Sequence, residues 1–110
     1  MIEEIVINYL LERGFEVYAE VPVNPSRLYV VIQRTSGSYT DQLRHIGLYT
    51  ESRCRDSKLE AARLHEAVIE AMRDIRNHTE LFRCELNADY DAALTSSKEY
   101  RFQALWDITM

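Results

Sequence analysis

The sequence predicts an α+β fold in the order α-β-β-β-α-β-β, a mainly antiparallel sheet with two helices packed on one face. Two segments repeat apolar residues at i, i+3 and i+4, the spacing of an amphipathic helix. Five others alternate with a period of two or are dense in β-branched residues, as strands are. Strands joined by short turns pair antiparallel, and two helices with one apolar stripe each are most simply accommodated on the same side of one sheet. The 110 residues suffice for one hydrophobic core and no more, so 1–110 reads as a single domain.

The first helix runs from Ile2 to Arg13, with Ile2, Ile5, Val6, Tyr9 and Leu10 on one face. Glu3 and Glu4 in its first turn and Arg13 in its last suit the helix dipole, and Gly14 supplies a left-handed stop. Phe15–Val21 alternates as a half-buried strand, and Pro22, Asn24, Pro25 and Ser26 form a turn. Leu28–Gln33 is an apolar run suited to a central strand. Thr35–Gln42, polar and containing Gly37, reads as a flexible loop or hairpin tip. Leu43–Arg53 resumes alternation, with Ile46, Leu48 and Thr50 opposite His45, Gly47 and Tyr49. The second helix starts at Ser57, which forms an S-x-x-E capping box with Glu60, and ends near Asn77. Its apolar stripe is Ala61, Leu64, Val68, Ala71, Met72 and Ile75. Leu81–Leu86 is the next strand, Asn87–Lys98 a polar connection, and Tyr100–Met110 the last strand, with Tyr100, Phe102, Ala104, Trp106 and Ile108 on its core side.

Composition narrows the function classes. Hydrophobic residues are 46% and charged residues 28%, the balance of a folded globular domain. No apolar run approaches the roughly 20 residues of a membrane helix. Glu3 and Glu4 stand where an export signal would carry lysines, so a cytoplasmic setting is expected. A net charge of -5 argues against general phosphate binding. Lys58 and Lys98 are the only lysines among 13 basic residues. That arginine bias fits protein interfaces, or a plain compositional preference. Seven tyrosines, several beside arginines, fit partner recognition or a core edged with hydroxyls.

Searches for chemistry return little. Walker A, GxGxxG, GxSxG and HExxH patterns are absent, and Gly14, Gly37 and Gly47 are too few for a phosphate cradle. Cys54 and Cys84 lack a CxxC spacing, and His45, His65 and His78 lack metal-ligand spacing, so no cofactor or metal is expected. The Asn87, Asp89, Asp91 series resembles a calcium loop but lacks its glycine and its twelfth-position glutamate, and reads as a solvated turn. A small restriction-like nuclease would need an E-x-K or Q-x-K strand, whereas Gln33 is followed by Arg34 and Thr35. These readings leave a non-enzymatic chain.

The order of segments also resembles a known family. Val17–Pro22, the strand Leu28–Ser38, Asp41, Arg53 ahead of the helix Ser57–Val68, and the closing strand Tyr100–Met110 together resemble the small tail terminator (tail completion) proteins of long-tailed phages. In many of these a hydrophobic strand ends in an Arg-Thr-Gly-Gly-like turn; here it reads Arg34-Thr35-Ser36-Gly37, with serine for the first glycine. The resemblance implies a structural subunit of a phage or prophage tail. Such subunits form a homo-hexameric ring that ends the tail tube and joins it to the head connector, with DNA only as passing cargo and no membrane contact. It implies a place in the virion tail after assembly in the bacterial cytoplasm. It puts Arg34, Thr35, Gly37, Tyr39 and Asp41 at an assembly contact. Another neck or head-closure component, the nuclease and a stand-alone cytoplasmic binding module are the alternatives.

Overall fold

The computed structural model describes residues 2–40, 43–81, 83–92 and 99–110. Helix α1 (Ile2–Glu12) leads into the short strand β1 (Val17–Tyr18), then β2 (Leu28–Thr40) and β3 (Leu43–Cys54). Helix α2 (Lys58–Arg73) and a single 3-10 turn (Ile75–Asn77) follow, and β4 (Arg83–Asp91) and β5 (Tyr100–Thr109) close the chain. The fold is α+β: two helices and a five-stranded mixed sheet in the order β1-β2-β3-β5-β4.

The helix signals act as their chemistry dictates. Gly14 adopts φ 92°, the left-handed region that an L side chain resists. Around it, the Phe15 N–H donates to the Leu10 carbonyl and the Gly14 N–H to the Leu11 carbonyl, the paired bonds of a Schellman stop. Ser57 Oγ accepts from the Glu60 N–H at 3.2 Å. The reciprocal half of the capping box is not made. The Glu60 carboxylate instead takes Arg27, at 2.6 and 2.7 Å.

One core joins both helices to one sheet face. Ile2, Val6, Tyr9 and Leu10 of α1 and Val68, Ile69 and Met72 of α2 pack with Val30, Ile32, Ile46, Leu48, Ala104, Trp106 and Ile108. Tyr9 Oη donates to the Ala71 carbonyl at 2.6 Å, which ties the helices together. At the far end of α2, Asp74 accepts from Asn77, Arg13 and His78. Those hydrogen bonds, Asn77's the largest, hold its carboxyl at about 2, below the ordinary 3.8. A depressed carboxyl stabilises the fold above its unfolded pKa and stops doing so as pH falls through the folded one. In urea titrations, wild type should therefore outlast Asp74→Asn at pH 6, and the gap should close between pH 3.8 and about 2. A gap that did not change with pH would contradict that role.

The strands depart from expectation at several points. β1 and β2 pair in parallel, Val17 with Val30 and Tyr18 with Val31, so the sheet is mixed, while its other three pairings are antiparallel as expected. The prolines do not make a tight hairpin. The chain from 19 to 27 runs back along the sheet before β2 starts, and Pro22 and Pro25, lacking N–H groups, cannot extend the ladder. The expected Phe15–Val21 strand shrinks accordingly to two residues, with Val21 43% exposed. Thr35–Thr40 is not a loop: it continues β2, paired with Leu43–Gly47 of β3, because ladder hydrogen bonding outweighs its polar composition. Gln42 lies outside the described residues.

β4 likewise extends past Leu86 through Asn87, Asp89 and Asp91, so that stretch is strand and not a solvated turn. A bulge between Leu86 and Ala88 shifts the register. It moves Asp89 and Asp91 to the helix side, opposite Ala104 and Phe102. Asp89 there meets His65, and Asp91 lies 3.4 Å from Lys58. Residues 93–98 and Phe82 lie outside the described residues. On β5 the inner half is buried as expected, but Tyr100 is 39% exposed at the sheet's end.

Candidate assembly surface

The residues singled out in the sequence gather on the far half of the β2–β3 hairpin. Arg34 pairs with Leu48 and Ser36 with Gly47, which leaves Thr35 as the extra residue of a β-bulge. The bulge has two consequences. Thr35 and Ser36 both face away from the helices, and their hydroxyls converge on Gly47: a Cβ there would lie 2.6 Å from each. Beyond the bulge Gly37 takes the helix side, the same side as Arg34, and the Arg34 guanidinium lies over it, 3.4 Å from where a Cβ would be.

Arg34 and Gly37 thus form one local unit on the helix side, with the glycine forming a shelf for the arginine, and Thr35 lies on the opposite face. Tyr39 pairs through its backbone with Arg44. Asp41 lies outside the described residues. Sequence reasoning missed Gly47, although a glycine interrupting an alternating strand is the usual mark of a close approach. Gly47→Val should cost about 1–3 kcal/mol in chemical denaturation, because β-branching drives methyls into the two hydroxyls. Gly37→Ala should be nearly neutral, since only the mobile end of Arg34 faces it. Equal losses in the two variants would contradict the bulge geometry.

Across the same side runs a polar cleft of about 380 Å³. Its walls include Ser36, Ser38, His45, Asp107, Arg83 and Glu85, and the missing side chain of Gly47 deepens it. Farther along this helix-free face the sheet carries an ordered polar layer. Glu51 and Arg53 are buried there, 2.5 Å apart, and the Arg53 guanidinium stacks 5.9 Å from the Tyr29 ring. Tyr29 Oη donates to Glu99 at 2.8 Å; burial pushes its phenol up, the hydrogen bond with Arg53 opposes that, and the hydrogen bond to Glu99 adds to it. Tyr49 donates to Gln33, and Tyr90 donates to Gln103 at 2.6 Å. Arg101 Nε is buried here with no partner among the described residues. Tyrosine and arginine are among the side chains that protein interfaces favour.

The remaining polar groups are structural in their surroundings. Cys54 Sγ, Asp56 and Glu60 could in principle surround a metal ion. The Arg27 guanidinium occupies their centre, 2.6 Å from both carboxylates and 3.5 Å from the sulfur. It joins the start of β2 to the start of α2, and the hydrogen bonds from Arg27 lower both carboxyl pKa values. Cys84 is pushed up to about 12, by burial first and the Glu85 charge second, so its thiol stays protonated at neutral pH. His65, not among the residues of the expected apolar stripe, is buried on α2, stacked on Phe102, with Nε2 against Asp89. Its Nδ1 has no partner among the described residues, and neither does the buried Ser52 hydroxyl. Gln33, weighed above for a nuclease strand, is held by Tyr49.

No family model matches the chain, and no curated protein matches it either.

Proposed function

We propose that the chain is a structural subunit of a phage or prophage tail, closing into a ring of identical copies that ends the tail tube and meets the head connector. The observation that carries this reading is the hairpin. β2 and β3 run 13 and 12 residues, and a bulge in the outer part of β2 sets Arg34 and Gly37 on one face and Thr35 on the other. Bulges of this kind re-aim side chains at the rim of a sheet. A preformed contact of this sort suits head-to-tail association, in which one surface patch meets a different patch on the next copy and the rotation closes. A net charge of -5 suits a ring through which DNA slides without sticking.

Arg34→Ala and Asp41→Ala test it. Each should abolish or weaken ring formation, read as sedimentation mass, while circular dichroism and thermal midpoint stay near wild type. If both variants assembled as wild type does, the hairpin would not be the ring contact.

A further inference from the structure

The sheet has two outer edges, and they are built differently. The β4 edge is blunted: it carries Arg83, Glu85, Asp89 and Asp91, with a bulge at its centre. Charges and bulges of this sort keep foreign strands away. The β2 edge is covered by β1 only at Val30 and Val31. From Ile32 to Thr40 no strand lies against it among the described residues. The Val30 N–H donates toward β1, to the Glu16 carbonyl. The period of two therefore turns the Arg34 N–H to the same open side.

Beside this edge, where β1 stops, lies a groove of about 490 Å³ between α1 and β2. Ile7, Ala19 and Ile32 supply its apolar part, Glu3 and Glu4 of α1 supply two carboxylates, and Gln33 and the single cation Arg34 close its β2 side, which leaves an excess of negative charge. Glu3 Oε1 is buried with no hydrogen-bond partner among the described residues. A buried carboxylate oxygen left unpaired is costly, and a cationic donor would satisfy it.

The geometry points to a peptide-docking edge: an extended segment of another protein, with an apolar residue and an arginine or lysine two positions apart, adds as a strand to β2 at Ile32–Arg34 and sets both side chains into the groove. Side chains of a strand share a face every second residue, which fixes that spacing. Main-chain bonds to the open edge would give the docking and the groove the specificity. A second copy of this chain is a poorer occupant. Among the described residues its β4 edge sets Asp89 and Asp91 on the helix side, where they would face Glu3 and Glu4 with like charge, and pairing through its own β2 edge is the outcome that dilution tests below. The groove shares Arg34 with the proposed ring contact, and Glu3 and Glu4 of α1 are its own, so Glu3→Gln tests the docking edge without touching the hairpin.

The test uses the full chain and a short capped peptide, Thr-Val-Thr-Arg-Thr-Val-Thr, followed by amide chemical shifts and calorimetry. Binding should perturb the amides of Ile32–Ser36 and α1. Replacing the peptide's arginine with glutamate, or Glu3→Gln in the protein, should weaken it roughly tenfold or more, as loss of a charge-assisted bond implies. Arg34→Pro should bind less well than Arg34→Ala, because both lose the side chain and only proline loses the edge N–H. The docking edge is overturned by no binding at millimolar peptide, by equal affinity for the glutamate peptide, by Glu3→Gln binding as wild type does, or by Arg34→Pro matching Arg34→Ala. It is likewise overturned if the chain masks this edge by pairing with a second copy, seen as peptide-resistant protection of the Ile32–Ser36 amides that vanishes on dilution.

Discussion

Arg53→Met should destabilise the fold by about 3–5 kcal/mol, since it strands the Glu51 carboxylate in a place closed to water. The two side chains are 10% and 9% exposed, on the sheet face that carries no helix. Glu51 has no second cation pairing with it among the described residues, so deleting the guanidinium leaves a desolvated charge. The double variant Glu51→Leu with Arg53→Met should recover most of that loss, because a buried ion pair and a well-packed apolar pair of similar volume are nearly equal in stability. Urea titration of the three proteins checks this. A double variant as unstable as the single one would mean that Arg53 works through packing on Tyr29 rather than through charge.

Trp106→Ala should cost a similar amount, about 3–5 kcal/mol, for a different reason. Trp106 is 1% exposed at the centre of the core, between rows that also hold Leu48 and Leu86. Its Nε1 donates to Thr50 Oγ1 at 3.1 Å. The substitution opens a cavity under α2 and orphans a buried hydroxyl as well. Trp106→Phe separates the two contributions: it keeps most of the volume and should lose about 1–3 kcal/mol, chiefly the cost of the unsatisfied Thr50 hydroxyl. For a domain of this size each kcal/mol lowers the thermal midpoint by roughly 4–8 °C, so calorimetry resolves both steps.

The helices were legible because their signals are local. Ile2 through Leu10 repeat with the helical period, Gly14 sits where the chain turns left-handed, and Ser57 caps α2. Those features depend on residues within one or two turns. The central strand at Leu28–Gln33 and the apolar side of β5 were legible from their own side chains in the same way. What was not legible depends on partners distant in sequence. Whether β1 runs with or against β2 is decided by where residues 19–27 travel, and no spacing rule records that. Thr35–Thr40 looks like loop by composition and is strand because Leu43–Gly47 lies opposite.

The two bulges were equally hidden. One extra residue at Thr35 puts Gly37 under Arg34, and one at Asn87 brings Asp89 to His65. A strict period of two assigns both residues to the wrong side of the sheet. The buried Glu51–Arg53 pair was missed for a third reason: alternation puts both residues on the Tyr49 side and does not record that this side is closed to water. Of the residues named at the candidate contact, Arg34 and Gly37 meet on the helix side while Thr35 turns to the opposite face. That arrangement follows from the bulge, which the primary structure did not announce.

Native mass spectrometry of the purified chain tests the ring most directly. Closure by identical head-to-tail contacts predicts one dominant species at six times the 12.9 kDa of the chain, with no ladder of open oligomers. The same spectrum for Arg34→Ala should collapse toward 12.9 kDa. A wild-type chain that stays at that mass, or stops at a dimer, across the full concentration range would contradict the ring.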